Sequence, residues 1–227
     1  MASSQQPPGP DVIPVFPLTG TLLLPGTLLP LNIFEPRYRN MVADAMGEGL
    51  HIGMVQPVVP RPDNWGPPEQ VSVNPEIYRV GCVGRIDRCE PQPDGRYEIV
   101  LRGIQRFRIR EELPLLRGYR RVVANCDEFA ADLTEPGLPL DPARILSALR
   151  SFGQRQGLEL DFDLLAALPG VSLLNGLAVA LPFRPEEKQA LLEASSPEER
   201  ERLLLALMGM GFEPITAEEY FSPPTVH

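Results

Sequence analysis

Residues Pro17–Val42 read PLTGTLLLPGTLLPLNIFEPRYRNMV, an apolar run broken by Pro25, Gly26 and Pro30 that turns amphipathic at Glu35. The breaks bar a long helix and a membrane span, and the density of leucine bars a solvated loop. What remains is buried β-structure that leads straight into a helix packed on it. Leu28–Ile33 reads as a strand. Pro36 then stands in a first helical turn, where proline is tolerated, and Tyr38, Met41, Val42 and Ala45 follow at helical spacing until Gly47 and Gly49.

The first half of the chain continues in this way. Asp11–Phe16 alternates as a strand, His51–Gln56 is a short apolar strand, and Tyr78–Arg88 returns to strand. Asp94-Gly95 supplies a hairpin turn that needs positive φ. Beyond it Tyr97, Ile99 and Leu101 share one side of a strand and Glu98 and Arg102 the other. Arg106, Arg108 and Arg110 alternate with Phe107 and Ile109, which predicts a half-buried strand with a basic outer face. Arg120–Asp127 closes the β part.

Past Pro136 the apolar period lengthens from two to about 3.6. Asp141-Pro142 starts a helix with Ile145, Leu146, Leu149 and Phe152 on one face, and Ser172–Leu181 reads as a buried helix. Pro185 opens another with Leu191 and Leu192 inward. Ser196-Pro197-Glu198-Glu199 is a capping box before a last helix that carries Leu203, Leu204 and Leu207 inward. Prolines cluster at Pro7–Pro10, Pro57–Pro75 and Pro136–Pro142. The expected organisation is a tail over 1–10, a β domain over 11–128 with one helix near 35–46, a linker over 129–139, a helical domain over 140–222 and a tail over 223–227.

Charge narrows the function classes. The 227 residues carry a formal charge of −9, with 14 basic and 15 acidic groups up to residue 128 but 7 and 15 after it. Such a chain is repelled by phosphate backbones, so broad nucleic-acid binding is disfavoured. Cys82, Cys89 and Cys126 lack the tight spacing of a metal site or disulfide framework and read as reduced core or strand residues. The opening MASSQQPPGPD has neither basic residue nor apolar core, so no secretory signal is expected, and no apolar stretch is long enough to span a bilayer. A cytoplasmic location without membrane partners is the expectation.

The fragments PLTGTLLLPGTLLPLNIFEPRYRNMV, IGMVQP (Ile52–Pro57) and GCVGRIDRCEPQPDGRYEIVLRGIQRFRI (Gly81–Ile109) fall in one order across residues 11–127. Together they resemble the N-terminal substrate-binding domain of the Lon protease, and its short stand-alone bacterial relatives in particular. That resemblance implies an α+β fold: a PUA-like pseudo β-barrel followed by a C-terminal helical bundle. It also implies a non-catalytic, adaptor-like protein that binds unfolded or exposed polypeptide segments and is related to proteolysis, with an ATP-dependent protease as partner. The AAA+ and Ser-Lys peptidase modules of the full protease have no counterpart here. The chain has no G-x-x-x-x-G-K-[ST], and its single lysine, Lys188, lies far from any Gly-rich turn. Binding rather than proteolysis is therefore the expectation, with no cofactor, metal or catalytic residue.

Each constellation that could carry chemistry has a plainer reading. Lys188 with Ser195 or Ser196 could make a Ser-Lys pair, yet Lys188 reads as an exposed first-turn residue and Ser196 as a helix cap. Cys82 and Cys89, seven apart, fall on opposite faces of a strand, and His51 and His227 have no clustered partners. Glu111-Glu112 and Asp161-x-Asp163 read as hydrophilic turn and helix-entry residues.

Three features point to binding. Trp65 in the proline-rich loop is an aromatic anchor for a polypeptide, or a cover folded back on the barrel. Arg37 and Tyr38 match the EPRY motif of the resemblance and either touch a polypeptide or fix the helix on the barrel. The strip from Arg102 to Arg121, with Arg106, Arg108 and Arg110 at its centre, supports the alternative of a PUA-like RNA binder. Against that alternative, Glu98, Glu111, Glu112, Asp127 and Glu128 lie close enough in sequence to pair with the arginines, and aromatic interleaving is thin.

Overall fold

The apolar alternation of the first half builds six strands and a helix: β1 (Val12–Pro17), β2 (Leu28–Ile33), α1 (Pro36–Gly47), β3 (His51–Val55), β4 (Val80–Pro91), β5 (Tyr97–Leu116) and β6 (Tyr119–Asn125). The computed structural model describes residues 12–58, 75–134 and 140–210. Strand order is β2-β5-β4-β3-β1-β6, and β5 also pairs with β6. The sheet therefore closes through β5, β4, β3, β1 and β6, while β2 hangs on the outer flank of β5. The α+β pseudo-barrel expected from the resemblance is the fold observed.

β5 makes closure possible because it is long enough to serve three neighbours. It runs antiparallel to β2 from Leu28↔Arg102 to Ile33↔Tyr97, to β4 from Val80↔Arg108 to Pro91↔Tyr97, and to β6 from Arg108↔Asn125 to Leu116↔Tyr119. Sequence reading divides this strand into two pieces around Gly103; the structure runs it through. At the β4–β5 register shift Gly84 pairs with Gly103. The two bare backbones leave room for Leu23 and Leu24, which lie across them fully buried. Thus the leucines of the broken apolar run fill the barrel wall where the sheet has no side chains of its own.

Inside the barrel, Ile13, Val15, Ile52, Leu101, Phe107 and Val122 are fully buried. Phe107 sits over Gly53 and Gly81, where any side chain would collide with its ring. α1 buries Tyr38, Met41, Val42 and Ala45, the stripe read from the sequence. A 3₁₀ turn, Asp127–Leu133, follows β6 and packs against β5.

The second half is α2 (Pro142–Gln156), α3 (Phe162–Ala166), α4 (Gly170–Ala180), α5 (Pro185–Glu193) and α6 (Pro197–Met210). Asp141 caps α2 by accepting from the Ala143 N–H at 3.0 Å, and Gly157 ends it in the left-handed region at φ 65°. α6 is the hub, packing on α2, α4 and α5. Ile145, Leu149, Phe152, Leu173, Leu174, Leu191, Leu192, Leu204 and Met208 form the buried set of these helices.

The chain divides into two compact units that interleave in sequence. Residues 12–16, 23–55 and 79–134 make the barrel unit, and residues 17–22, 56–58, 75–78 and 140–210 the helical unit. In the helical unit, three short described segments from the first half join the helices. The stretches around Gln56 and Tyr78 are zipped by an antiparallel bridge, Pro57↔Ile77, with the Val58 N–H donating to the Glu76 carbonyl (2.8 Å) and the Tyr78 N–H to the Gln56 carbonyl (2.9 Å).

Candidate functional site

The EPRY motif closes on itself. The Arg37 side chain donates to Glu35 Oε2 at 2.8 Å and lies 4.5 Å from the centre of the Tyr38 ring, while Tyr38 stacks on Phe16 at 4.1 Å. Of the two readings of Tyr38, contact or scaffold, its burial on the apolar stripe of α1 within the barrel unit suits the scaffold. Arg37 is half-buried beside it, and Phe34, one residue before the motif, is 51% exposed. Trp65 lies outside the described residues, so it is not placed with Arg37 and Tyr38.

The arginines of β5 meet acidic partners of which Asp127 and Glu128 are candidates from the sequence, while Asp132 falls in the expected linker. Down the outer face of the strand, Arg106, Arg108 and Arg110 face Asp132, Glu128 and Asp127 of the 3₁₀ turn at 2.8, 2.7 and 3.9 Å. Arg106 is only 3% exposed; its Nε and Nη2 both reach the Asp132 carboxylate, and its guanidinium lies 4.6 Å from the centre of the Phe129 ring. Arg106, offered by the sequence as a centre of the alternative RNA-binding strip, is thus engaged by Asp132. Strand alternation sends it outward, but the turn covers that face. The Arg108 guanidinium holds the Glu128 carboxyl below its usual range. Arg102 and Arg120 pair in turn with Asp87 (2.6 Å) and Glu112 (2.6 Å). A strip engaged this way offers phosphate little uncommitted charge.

The groups weighed for catalysis are structural in their bonding. Lys188 is 9% exposed, not an exposed first-turn residue as expected, because the first turn of α5 faces the rest of the helical unit. Its Nζ donates to the Gly20 carbonyl (3.0 Å) and the Val179 carbonyl (3.2 Å), and burial pulls its pKa below the ordinary lysine value. Beside it, Gln56 accepts from the Gly20 N–H (3.1 Å) and donates to the Pro185 carbonyl (3.0 Å) and Gln189 Oε1 (3.2 Å). Ser196 caps α6 by accepting from the Glu199 N–H at 3.2 Å, and Ser195 donates to Glu199 through its hydroxyl and its N–H. Neither serine hydroxyl is bonded to Lys188 in this arrangement. Among the described residues no group of three or more His, Cys, Asp or Glu is placed to hold a metal ion. None of the described helices is long and apolar enough to cross a membrane.

Apolar surface is the remaining resource. In the barrel unit Leu28, Phe34, Met46 and Leu115 are exposed. In the helical unit Leu158, Leu164 and Leu168 are exposed within one short stretch, and Leu164 at 65% is the most exposed large apolar residue among the described residues. The sequence reading did not single these leucines out. The signal was available: LELDFDLLAALP packs more apolar residues into 158–169 than a helix as short as α3 can bury.

Comparison with known proteins agrees with this architecture. The model of the ATP-dependent protease La (LON) substrate-binding domain matches residues 12–209. The chain is similar to Lon protease 2 of Sorangium cellulosum (strain So ce56), 28% identical over 243 residues that cover 97% of this chain and 27% of that protein. Its fold is similar to a Lon N-terminal domain protein from Xanthomonas campestris, with a TM-score of 0.58 and 24% identity over 86% of this chain and 97% of that one. It is likewise similar to the N-terminal domain of the Mycobacterium avium complex Lon protease, with a TM-score of 0.61 and 19% identity over 87% and 98%. The chain spans about a quarter of the length of the curated relatives it matches. With the family model matching nearly the whole described chain and the pseudo-barrel in place, this protein belongs to the LON substrate-binding domain family.

Proposed function

We propose that the chain recognises unfolded or extended polypeptide segments as a non-catalytic, adaptor-like protein and works alongside an ATP-dependent protease. The observation that carries this reading is the match to the substrate-binding domain over residues 12–209. The exposed leucines of the helical unit and Phe34 beside the EPRY motif support it, since apolar side chains left in water are the surface an unfolded chain can cover. The engagement of Arg106, Arg108 and Arg110 by the 3₁₀ turn weighs for a protein ligand over RNA.

The test is retention of a permanently unfolded protein, reduced and carboxymethylated, on the immobilised full chain, against the same protein in its native folded form. Retention of the unfolded form alone is expected, and Trp65→Ala is expected to weaken it if the proline-rich loop supplies an anchor. Equal retention of the two forms, or of neither, overturns the reading.

A further inference from the structure

Asp161 fixes a short helix whose Leu164 is left exposed among the described residues. Its carboxylate accepts from the Asp163 and Leu164 N–H groups at 3.1 and 3.0 Å, which starts α3 abruptly after the turn at Gly157. Started there, α3 turns Phe162 under the guanidinium of Arg150 at 4.6 Å and leaves Leu165 half-buried. Leu164 in α3 and Leu168 in the turn just after it, whose N–H donates to the Leu165 carbonyl, are both exposed. Leu158, Ala166, Ala167 and Pro169 are exposed around them. Single exposed leucines are ordinary on a surface, but this grouping on one segment is not.

The charges decide what could cover it. Glu159, Asp161 and Asp163 are exposed among the leucines, and residues 156–183 contain no basic residue at all. Of the nearby arginines on α2, Arg150 lies over the Phe162 ring and Arg155 donates to the Met208 carbonyl. These contacts, to a ring and to a neutral carbonyl, leave both arginines charged, so three carboxylates stand against two guanidinium groups and the leucines lie in a stretch of net negative charge. A second copy of this surface would bring like charges together, and an anionic lipid surface would be repelled.

We infer that α3 and its flanks dock polypeptide segments in which apolar side chains are bordered by lysine or arginine. The leucines supply the contact area, and Glu159 and Asp163 select basic neighbours. This rests on the polypeptide-recognition reading and adds to it a site and a substrate class.

The experiment measures binding of the full chain to three fluorescent peptides with the same leucine core, flanked by Lys and Arg, by Ser, or by Glu. The basic-flanked peptide is expected to bind about tenfold more tightly than the acidic-flanked one, with the gap closing as salt rises. Leu164→Ser with Leu168→Ser is expected to weaken the basic-flanked peptide about tenfold. Leu164 is 65% exposed, so Leu164→Ser alone should leave the thermal midpoint in place and serves as the folding control; Leu168, at 38%, is partly covered. Glu159→Gln with Asp163→Asn is expected to erase the preference while leaving the Ser-flanked peptide unaffected; Asp161 is kept because it caps the helix. Equal binding of all three peptides, or full binding by the leucine variant, overturns this inference while polypeptide recognition stands. No binding of any peptide overturns both.

Discussion

Gly103 is held by two backbone hydrogen bonds to the chain that crosses it: its N–H donates to the Thr27 carbonyl and its carbonyl accepts from the Gly26 N–H, both at 2.9 Å. A Cβ at this position would collide with the backbone carbonyl of Leu24, which those same bonds prevent from moving. At Gly84, its partner across the sheet, a Cβ would meet no backbone atom: the end of the Leu23 side chain at 2.9 Å can turn away, and Leu101 Cβ at 3.1 Å need give by only a few tenths of an ångström. Gly103→Ala should therefore destabilise the fold by about 3 kcal/mol and Gly84→Ala by about 1 kcal/mol. Denaturant midpoints at unchanged slope measure both; similar losses at the two sites would show that the backbone clash is not decisive. Residue identity in the sequence did report which face of a strand each side chain takes, as Phe107 and Ile109 inside and Arg108 and Arg110 outside attest. It did not report what lies over the outer face. Arg106 is buried because the 3₁₀ turn covers it, and Lys188 is buried because the first turn of α5 faces Gly20 and Val179, facts set by tertiary packing and without local sequence mark.

At the scale of elements, α1 is tied to the end of the β5–β6 hairpin. The turn places Arg117 at φ 48° and Gly118 at φ 89°, two consecutive positive values that suit the twist of a tight hairpin. Asn40 donates to the Arg117 carbonyl (3.0 Å) and accepts from its Nη2 (3.0 Å), while Asp44 accepts from Arg117 Nη1 and from the Tyr119 hydroxyl at 2.8 Å. Burial, with the Asp44 carboxylate beside it, pushes the Tyr119 phenol from 10.0 up to about 12. Because the folded value exceeds the unfolded one, this group's stabilisation is fully present below pH 10.0 and is lost as pH rises through about 12. Tyr119→Phe should cost about 1–2 kcal/mol at neutral pH. It should also flatten the alkaline fall in stability, so that the variant and the native chain converge at the top of that range. Denaturant unfolding at neutral and alkaline pH checks this, and a constant difference between the two proteins across the range would exclude the Tyr119–Asp44 bond as its source. The sequence shows α1 and its buried stripe, but not this clamp: Asn40 and Asp44 fall on the polar side of the helix, where pattern reading expects only solvent.

At the scale of the whole molecule, the change of period near Pro136 is legible along the chain, whereas the membership of residues 17–22 and 56–58 in the helical unit is not. Those residues enter it through hydrogen bonds that only the folded chain brings together. Lys188 depends on the Gly20 carbonyl, and Gln56 satisfies the Gly20 N–H, the Pro185 carbonyl and Gln189 from a position with 1% exposure. A fragment beginning at residue 136 would keep every helix of that unit and lose these partners. Each buried group left without its partner costs roughly 1–3 kcal/mol, against a folding margin of only about 5–15 kcal/mol. Leu22, buried in the intact chain and part of the helical unit, would also be missing, so the surface that buries it would open. The fragment is therefore expected to retain helical far-ultraviolet circular dichroism, bind a hydrophobic dye and unfold without a sharp transition. The intact chain is expected to unfold cooperatively and bind less of the dye than the fragment. A fragment that unfolds as sharply and at the same midpoint as the intact chain would show that the short segments rest on the helices without helping to hold them.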